Sequence, residues 1–428
     1  HAGNQFPSSF WNEEKGAAQA GALGTRSGHH WVIENNVIRF ANSLGIDCGS
    51  EGFDPEGSQP TPDYVGYHLI CNNVVSDNGA CGIAGWKHTG TKIIGNLIER
   101  NNYRGWTSPE NGGIKVHSFV NGLIEGNICR DNDAHGIWLD NVYRNSRVTR
   151  NVVVNSSGDG IFCEMGVGPV LVDNNIVAYT RMGDGIYTHD ASGVTVAHNL
   201  LFGNAHYGVY MRVVTDRTVN TADGDEEIVG TSNQRIVNNI FIDNYRGQIC
   251  LPYKSQRAQN NFSDYNVFVT GSSWKWTGLR YNPFSVNISN GANDSIAMLA
   301  EDFQKMLEKE HVAENQRPNM HLWKKEPILT LEWWRALTGN DRHSFAPQVT
   351  SGEMKNGAIT HGSMSLSAQE LYFITLDDEP FRQFYCPPVK GIEKDYYGNL
   401  MDKDSILTGP FQEYEKDFNR FPFYRQKK

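Results

Sequence analysis

Leu123-Ile124-Glu125-Gly126-Asn127-Ile128-Cys129 leads to Arg130-Asp131-Asn132-Asp133 and then to Gly136-Ile137-Trp138-Leu139-Asp140. Short aliphatic and β-branched segments alternate here with corners of Asn, Asp and Gly, which is the pattern of strands joined by tight turns. The same unit recurs on both sides. Asn followed by Ile, Val or Leu occurs at Asn36, Asn73, Asn96, Asn127, Asn151, Asn175, Asn199 and Asn239. The steps from Asn127 to Asn151, Asn175 and Asn199 are equal, and the step from Asn73 to Asn96 is one shorter. A second step keeps the beat at Gly113-Ile114, Gly136-Ile137, Gly160-Ile161, Gly185-Ile186 and Gly208-Val209.

Repeats of this length mean a solenoid, and no segment between residues 30 and 255 holds a 3.6-residue apolar period. One coil per repeat predicts an all-β chain, a parallel β-helix of 23–24-residue rungs. Asparagines in register at a corner can bond along the stack and tolerate left-handed backbone, so the ladder is read as structural. The wider gaps, Asn36 to Asn73, Asn96 to Asn127 and Asn199 to Asn239, mark rungs with insertions at Glu51–Tyr67, Arg104–Gly112 and Val213–Asn233. Such insertions often lie on the binding face of a repeat protein.

The chain has 428 residues, a net charge of −10 and seven cysteines. The charge, and the absence of a basic run before Gln426-Lys427-Lys428, argue against a nucleic-acid partner. No apolar stretch approaches the roughly 20 residues that span a bilayer. The cysteines lack CxxC spacing, and Cys129 and Cys163 fall at apolar strand positions, so they read as free core residues. Residues 1–270 are assigned to the β-helix and its active face, and 271–428 to an irregular capping and shielding region. That region should hold an amphipathic helix over Asp294–Glu310, with Ile296, Leu299, Phe303 and Met306 on one face, and a second over Leu331–Leu337 between Thr330 and Gly339. Gly21-Ala22-Leu23 lies one repeat length before Gly45-Ile46-Asp47, so a rung is expected to be running there already. A bare β-helix end exposes strand edges, which leads to the hypothesis that His1 is not the native start; an intact mass matching these residues alone would refute it.

Strand side chains alternate between faces. With Ile137 and Leu139 inward, Trp138 and Asp140 point outward. Four residues after each repeat glycine the outward column reads Gly49, Trp86, His117, Asp140, Glu164, His189, Arg212. Two residues after it, the column reads Asp47, Ala84, Lys115, Trp138, Phe162, Tyr187, Tyr210. Solvated faces favour Lys and Glu, whereas this one sets ionisable groups beside aromatics, which suit the apolar faces of sugar rings. Asp140 and Glu164 are the sharpest pair. On adjacent rungs they sit about 4.8 Å apart, near the roughly 5–5.5 Å of retaining glycosidases and below the roughly 6.5–9.5 Å of inverting ones. Lys115 and His117 flank Asp140 and favour its ionised form, which points to Asp140 as nucleophile and Glu164 as general acid/base. Because Asp140 points outward, its replacement is expected to cost little stability. Glu110, on the loop entering the Lys115 strand, is either a partner of Lys115 or a ligand to sugar hydroxyls.

The run Glu110-Asn111-Gly112-Gly113-Ile114-Lys115-Val116-His117, with Gly136-Ile137-Trp138-Leu139-Asp140 and Phe162-Cys163-Glu164, resembles glycoside hydrolase family 120. The resemblance implies a right-handed parallel β-helix and β-xylosidase activity on plant or algal oligosaccharides. It further implies that Asp140 is the nucleophile, Glu164 the acid/base and Glu110 a substrate-binding residue. The family's β-sandwich region has no evident counterpart here. The expected partner is an oligosaccharide or glycoside, with no cofactor and no metal; a homo-oligomer is compatible with the sequence. A periplasmic or secreted location is expected, with the cytoplasm as the alternative. Two other readings stay open. One is a polysaccharide lyase using Lys115, His117, His189 and Arg212, with Asp140 and Glu164 as calcium ligands. The other is a non-catalytic carbohydrate-binding β-helix.

Overall fold

The computed structural model describes residues 21–25, 28–49, 65–107, 111–141, 143–214, 217–220, 226–255, 257–269, 284–287, 293–309, 329–346, 359–365, 370–375, 385–413 and 417–423. Three parallel sheets wind together into a right-handed β-helix, with ten strands in the first sheet and nine in each of the others among these residues. One rung runs through His135–Asp140, Ser146–Thr149 and Val152–Val154; the next runs through Ile161–Glu164, Val167–Asp173 and Ile176–Ala178. Like side chains stack in register, Ile137 on Ile161, Val148 on Val172 and Val153 on Val177. All six are essentially fully buried, so the interior is a continuous column of aliphatic contacts.

The asparagine ladder turns the corner between the second and third sheets. At each step the backbone N–H and the side-chain amide of one Asn both donate to the Oδ1 of the next. Asn127 does so to Asn151 at 2.9 and 3.0 Å, and the chain continues through Asn175, Asn199, Asn239 and Asn266. A corner interrupts the sheet ladder, and the side chain supplies the acceptor that the buried backbone N–H would otherwise lack. The left-handed residue is not the ladder Asn, as the sequence suggested, but the one before it: Asn72, Gly95, Gly126, Arg150, Asn174, His198 and Asn238 all have positive φ. A second ladder, absent from the sequence reading, turns the next corner through Asn78, Asn101 and Asn132, and again through Asn204 and Asn244.

At the N-terminal end Gly21–Gly24 does pair with Leu44–Asp47, but one residue out of the expected register, Leu23 facing Ile46. The apolar side chains decide this, because a one-residue slip would turn Leu23 to the other face. At the other end the helices Asn293–Lys309 and Leu331–Thr338 lie close to their expected bounds. Thr330 caps the second by accepting from the Trp333 N–H, and Gly339 closes it at φ 74°. Leu299, Phe303, Met306 and Trp334 join the coil interior through Phe284 and Phe268, closing the core; the Ile296 side chain is not among those the structure describes.

Strands Ile359–Ser365, Glu370–Thr375 and Asp417–Pro422 form an antiparallel sheet. Leu371, Phe411, Phe421 and Phe423 pack with Val152, Val154, Ile176, Ala178 and Leu200, outward residues of the third sheet. That contact explains why Val152-Val153-Val154 is apolar on both faces. All seven cysteines are free thiols, and Cys129 and Cys163 are buried in the core as expected. No helix among the described residues is long and apolar enough to cross a membrane.

Candidate functional site

The first sheet carries the outward columns in the anticipated order. His117, Asp140, Glu164, His189 and Arg212 are successive partners, as are Lys115, Trp138, Phe162, Tyr187 and Tyr210. Asp140 and Glu164 are therefore direct neighbours, about one strand spacing of 4.8 Å apart.

Each carboxylate has its own cations in contact, and Arg217, bonded to Glu164, also acts on Asp140. Lys115 Nζ lies 2.9 Å from Asp140 Oδ2, and His117 Nδ1 lies 3.5 Å from the same oxygen. Burial alone would raise the Asp140 pKa, but Lys115, His117 and Arg217 outweigh it and hold the carboxyl below its ordinary value. The Lys115 chain is fully buried, with its ammonium also 2.9 Å from the centroid of the Trp138 ring. A buried cation needs such pairing, and the ring face adds roughly 2 kcal/mol where water is excluded. Glu164 Oε1 receives Arg217 Nη1 at 2.5 Å, with His189 Nδ1 at 3.8 Å. His189 Nε2 in turn faces the buried Asp190 at 3.3 Å, and Asp190 also accepts from the Val214 N–H.

The aromatic column stacks on itself. Trp138, Phe162, Tyr187 and Tyr210 have successive centroid separations of 5.0, 4.8 and 5.5 Å, and His135 covers Trp138 and Phe162. Trp138 and Phe162 are 5% exposed and Tyr210 8%. Among the described residues Trp138, Phe162 and Tyr210 thus form a packed wall beside the carboxylates, with Tyr187 half-buried in the row; rung spacing alone brings flat rings into contact. The Trp138 Nε1 donor is buried in that wall with no acceptor among the described residues. Arg212 bonds the Tyr187 phenol, whose pKa burial pushes up against the arginine's opposing effect, so it lies on the aromatic side of the face. Glu110 lies outside the described residues.

Three contributors escaped the sequence reading. Arg217 sits on a hairpin, Arg217–Asn220 paired with Glu226–Val229, within the insertion after Arg212. The insertion was legible, but which of its residues reaches inward was not. Asp190 follows the column and is buried by a left-handed backbone, φ 46°. Tyr143 is fully buried close to the pair, its pKa raised by burial and by the Asp140 and Glu164 carboxylates. No cluster of three or more His, Cys, Asp or Glu among the described residues is placed to hold a metal ion. A separate groove of about 630 Å³, bordered by Arg181, Met182, His206, Tyr245 and Arg246, opens at the corner preceding these strands and is not lined by either carboxylate.

Two carboxylates one rung apart, one held ionised by a buried lysine and the other in an arginine ion pair, can support nucleophilic and proton-transfer chemistry at one carbon. Comparison with known proteins places this architecture. The family model for a right-handed β-helix region matches residues 17–180. No curated protein sequence matches. Among solved structures, XylC in complex with xylose superposes with a TM-score of 0.63 at 18% identity, over 96% of this chain and 64% of that one. The periplasmic alginate epimerase AlgG gives 0.42 at 17% identity over 56% of this chain and 60% of that one, and pectate lyase Pel9A gives 0.33 at 14% over 57% and 66%. This chain spans just under two thirds of the length of XylC, and the likeness between them is one of fold.

Proposed function

We propose that this protein is a retaining glycoside hydrolase of β-xylosidase type. The observation that supports it best is the direct pairing of Asp140 with Glu164 on adjacent strands, with Lys115 bonded to Asp140. At about 5 Å there is no room for water between a carboxylate and the sugar. The Asp140 carboxylate attacks the anomeric carbon as the bond to the leaving oxygen breaks, and that oxygen takes a proton from Glu164. A covalent glycosyl-enzyme results. Glu164 then removes a proton from water, whose oxygen attacks the same carbon and releases Asp140, so configuration is kept.

The resemblance to glycoside hydrolase family 120 and the fold shared with a protein solved with xylose make β-xylosides the first substrates to try. A lyase base needs an uncommitted amine or imidazole, whereas Lys115 is committed to Asp140 and Trp138, His117 faces Asp140, His189 lies between Glu164 and Asp190, and Arg212 bonds the Tyr187 phenol. NMR of the first product from an aryl β-xyloside should show the retained anomer, and a 2-fluoro xyloside should leave a covalent adduct on Asp140 by peptide mapping. The inverted anomer as first product, or an unsaturated uronide, would refute the proposal.

A further inference from the structure

The two carboxylates have different kinds of counter-ion. Lys115 comes from the sheet itself and is sealed between Asp140 and the Trp138 ring, its side chain 1% exposed. Arg217 comes from outside the coil, on the hairpin, and its side chain is 31% exposed. One cation is fixed in the register of the β-helix. The other stands on a two-stranded sheet of its own that pairs with no rung.

The chemistry of the proposed reaction, on which this inference rests, asks for that difference. A nucleophile must be ionised at every encounter, so a permanent cation suits Asp140. An acid/base residue must alternate. A carboxylate in an ion pair has no proton to give to a leaving oxygen, yet it is in the form that accepts a proton from water in the second half-reaction. We propose that Arg217 is the positioning residue of Glu164, a removable counter-ion that pairs with it between turnovers, releases it when a glycoside enters, and pairs again as the glycosyl-enzyme is hydrolysed. The other groups that face Glu164 are Asp140 from the preceding strand, His189 from the following one and the nearby Tyr143 phenol. None can take this part: Asp140 repels, Tyr143 is a buried phenol, and His189 lies farther away at 3.8 Å and is shared with Asp190.

The test compares wild type, Arg217→Gln and Arg217→Lys in aryl β-xyloside hydrolysis across pH, with circular dichroism to confirm folding. Removing a charge this close should move the alkaline limb of kcat/KM upward by roughly one pH unit in Arg217→Gln, and Arg217→Lys should bring it back toward wild type. A loss of kcat/KM uniform in pH means that Arg217 only supports the fold, and overturns the inference. A second reading needs no turnover: carboxyl ¹³C NMR with labelled glutamate, Glu164 assigned through Glu164→Gln. Its titration midpoint should rise by a similar amount in Arg217→Gln. An unchanged midpoint overturns the inference even if xylosides are hydrolysed normally. A wild type that hydrolyses no glycoside overturns the proposed function, and the release step with it.

Discussion

Lys115 stands at one distance, 2.9 Å, from both the Asp140 carboxylate and the centroid of the Trp138 ring, and is fully buried between them. The two outward columns of the sheet are thereby joined: the lysine leaves the aromatic column and crosses to the ionisable one. Lys115→Met should lower stability at neutral pH by about 3–5 kcal/mol, the cost of leaving a buried charge without its partner. The sign of the pH dependence follows from Asp140. Its folded pKa lies below the ordinary value, so its stabilisation is complete above the unfolded carboxylate pKa of about 3.9 and is lost as pH falls through the lower folded value. Urea midpoints of the two proteins should therefore differ most near pH 7 and converge in acid. A difference that stays constant from neutral to strongly acidic pH would show that the ion pair is not its source.

On the proposed mechanism Asp140→Ala should lower kcat by several orders of magnitude, with partial rescue by external azide standing in for the missing carboxylate. The sequence suggested that this change would be cheap in stability. The structure corrects that, because Asp140 is 8% exposed and is the partner of a fully buried lysine. Asp140→Ala should also cost about 3–5 kcal/mol, whereas the double variant Asp140→Ala/Lys115→Met should recover part of it. Near-native turnover by Asp140→Ala on every glycoside tried would remove Asp140 from the mechanism.

The asparagine ladder gives a prediction graded by position. Asn151 accepts two bonds from Asn127 and its own amide donates to Ile124, Thr149 and Asn175. Asn151→Ala should cost more than about 3 kcal/mol, since several buried groups lose partners at roughly 1–3 kcal/mol each. Asn36, exposed at the start of the ladder, donates to Asn73, and Asn36→Ala should cost less than about 1 kcal/mol. Equal shifts in denaturation midpoint would mean that the ladder does not stabilise through its buried bonds.

Gly166 tests how the site is supported. A Cβ there would fall within the Tyr143 ring, which is fully buried. Gly166→Ala should destabilise by about 1–3 kcal/mol through overpacking and lower activity with it, because Tyr143 is close enough to feel the Asp140 and Glu164 charges. Gly166→Ala/Tyr143→Leu should regain stability. Failure of the second change to relieve the first would place the strain elsewhere.

Much of the architecture follows from the chain alone because a solenoid repeats its local rules. Once per rung the same corner asparagine and the same Gly-Ile step recur, and period-2 alternation then assigns Asp140, Glu164, His117 and His189 to one column. Strand pairing between adjacent rungs is nearly local in sequence, so register could be read by counting. Counting failed at Leu23, where apolar packing rather than repeat length chose the partner. The second ladder was legible as an Asn five residues after Asn73, Asn96, Asn127, Asn199 and Asn239.

Tertiary structure decided what the repeat does not encode. Arg217 lies in an insertion with no period, and only the folded hairpin brings it to Glu164, 53 residues away. The depth of the face was likewise invisible: alternation says outward, but whether outward means exposed depends on what packs above, and Lys115, Asp140 and Trp138 are all buried. The apolar outer side of Val152-Val153-Val154 found its reason only in Leu371, Phe411 and Phe421, far along the chain and beyond the last rung. Periodicity fixes direction within a strand; burial, and with it the electrostatics of a charged pair, is a property of everything the fold brings around it.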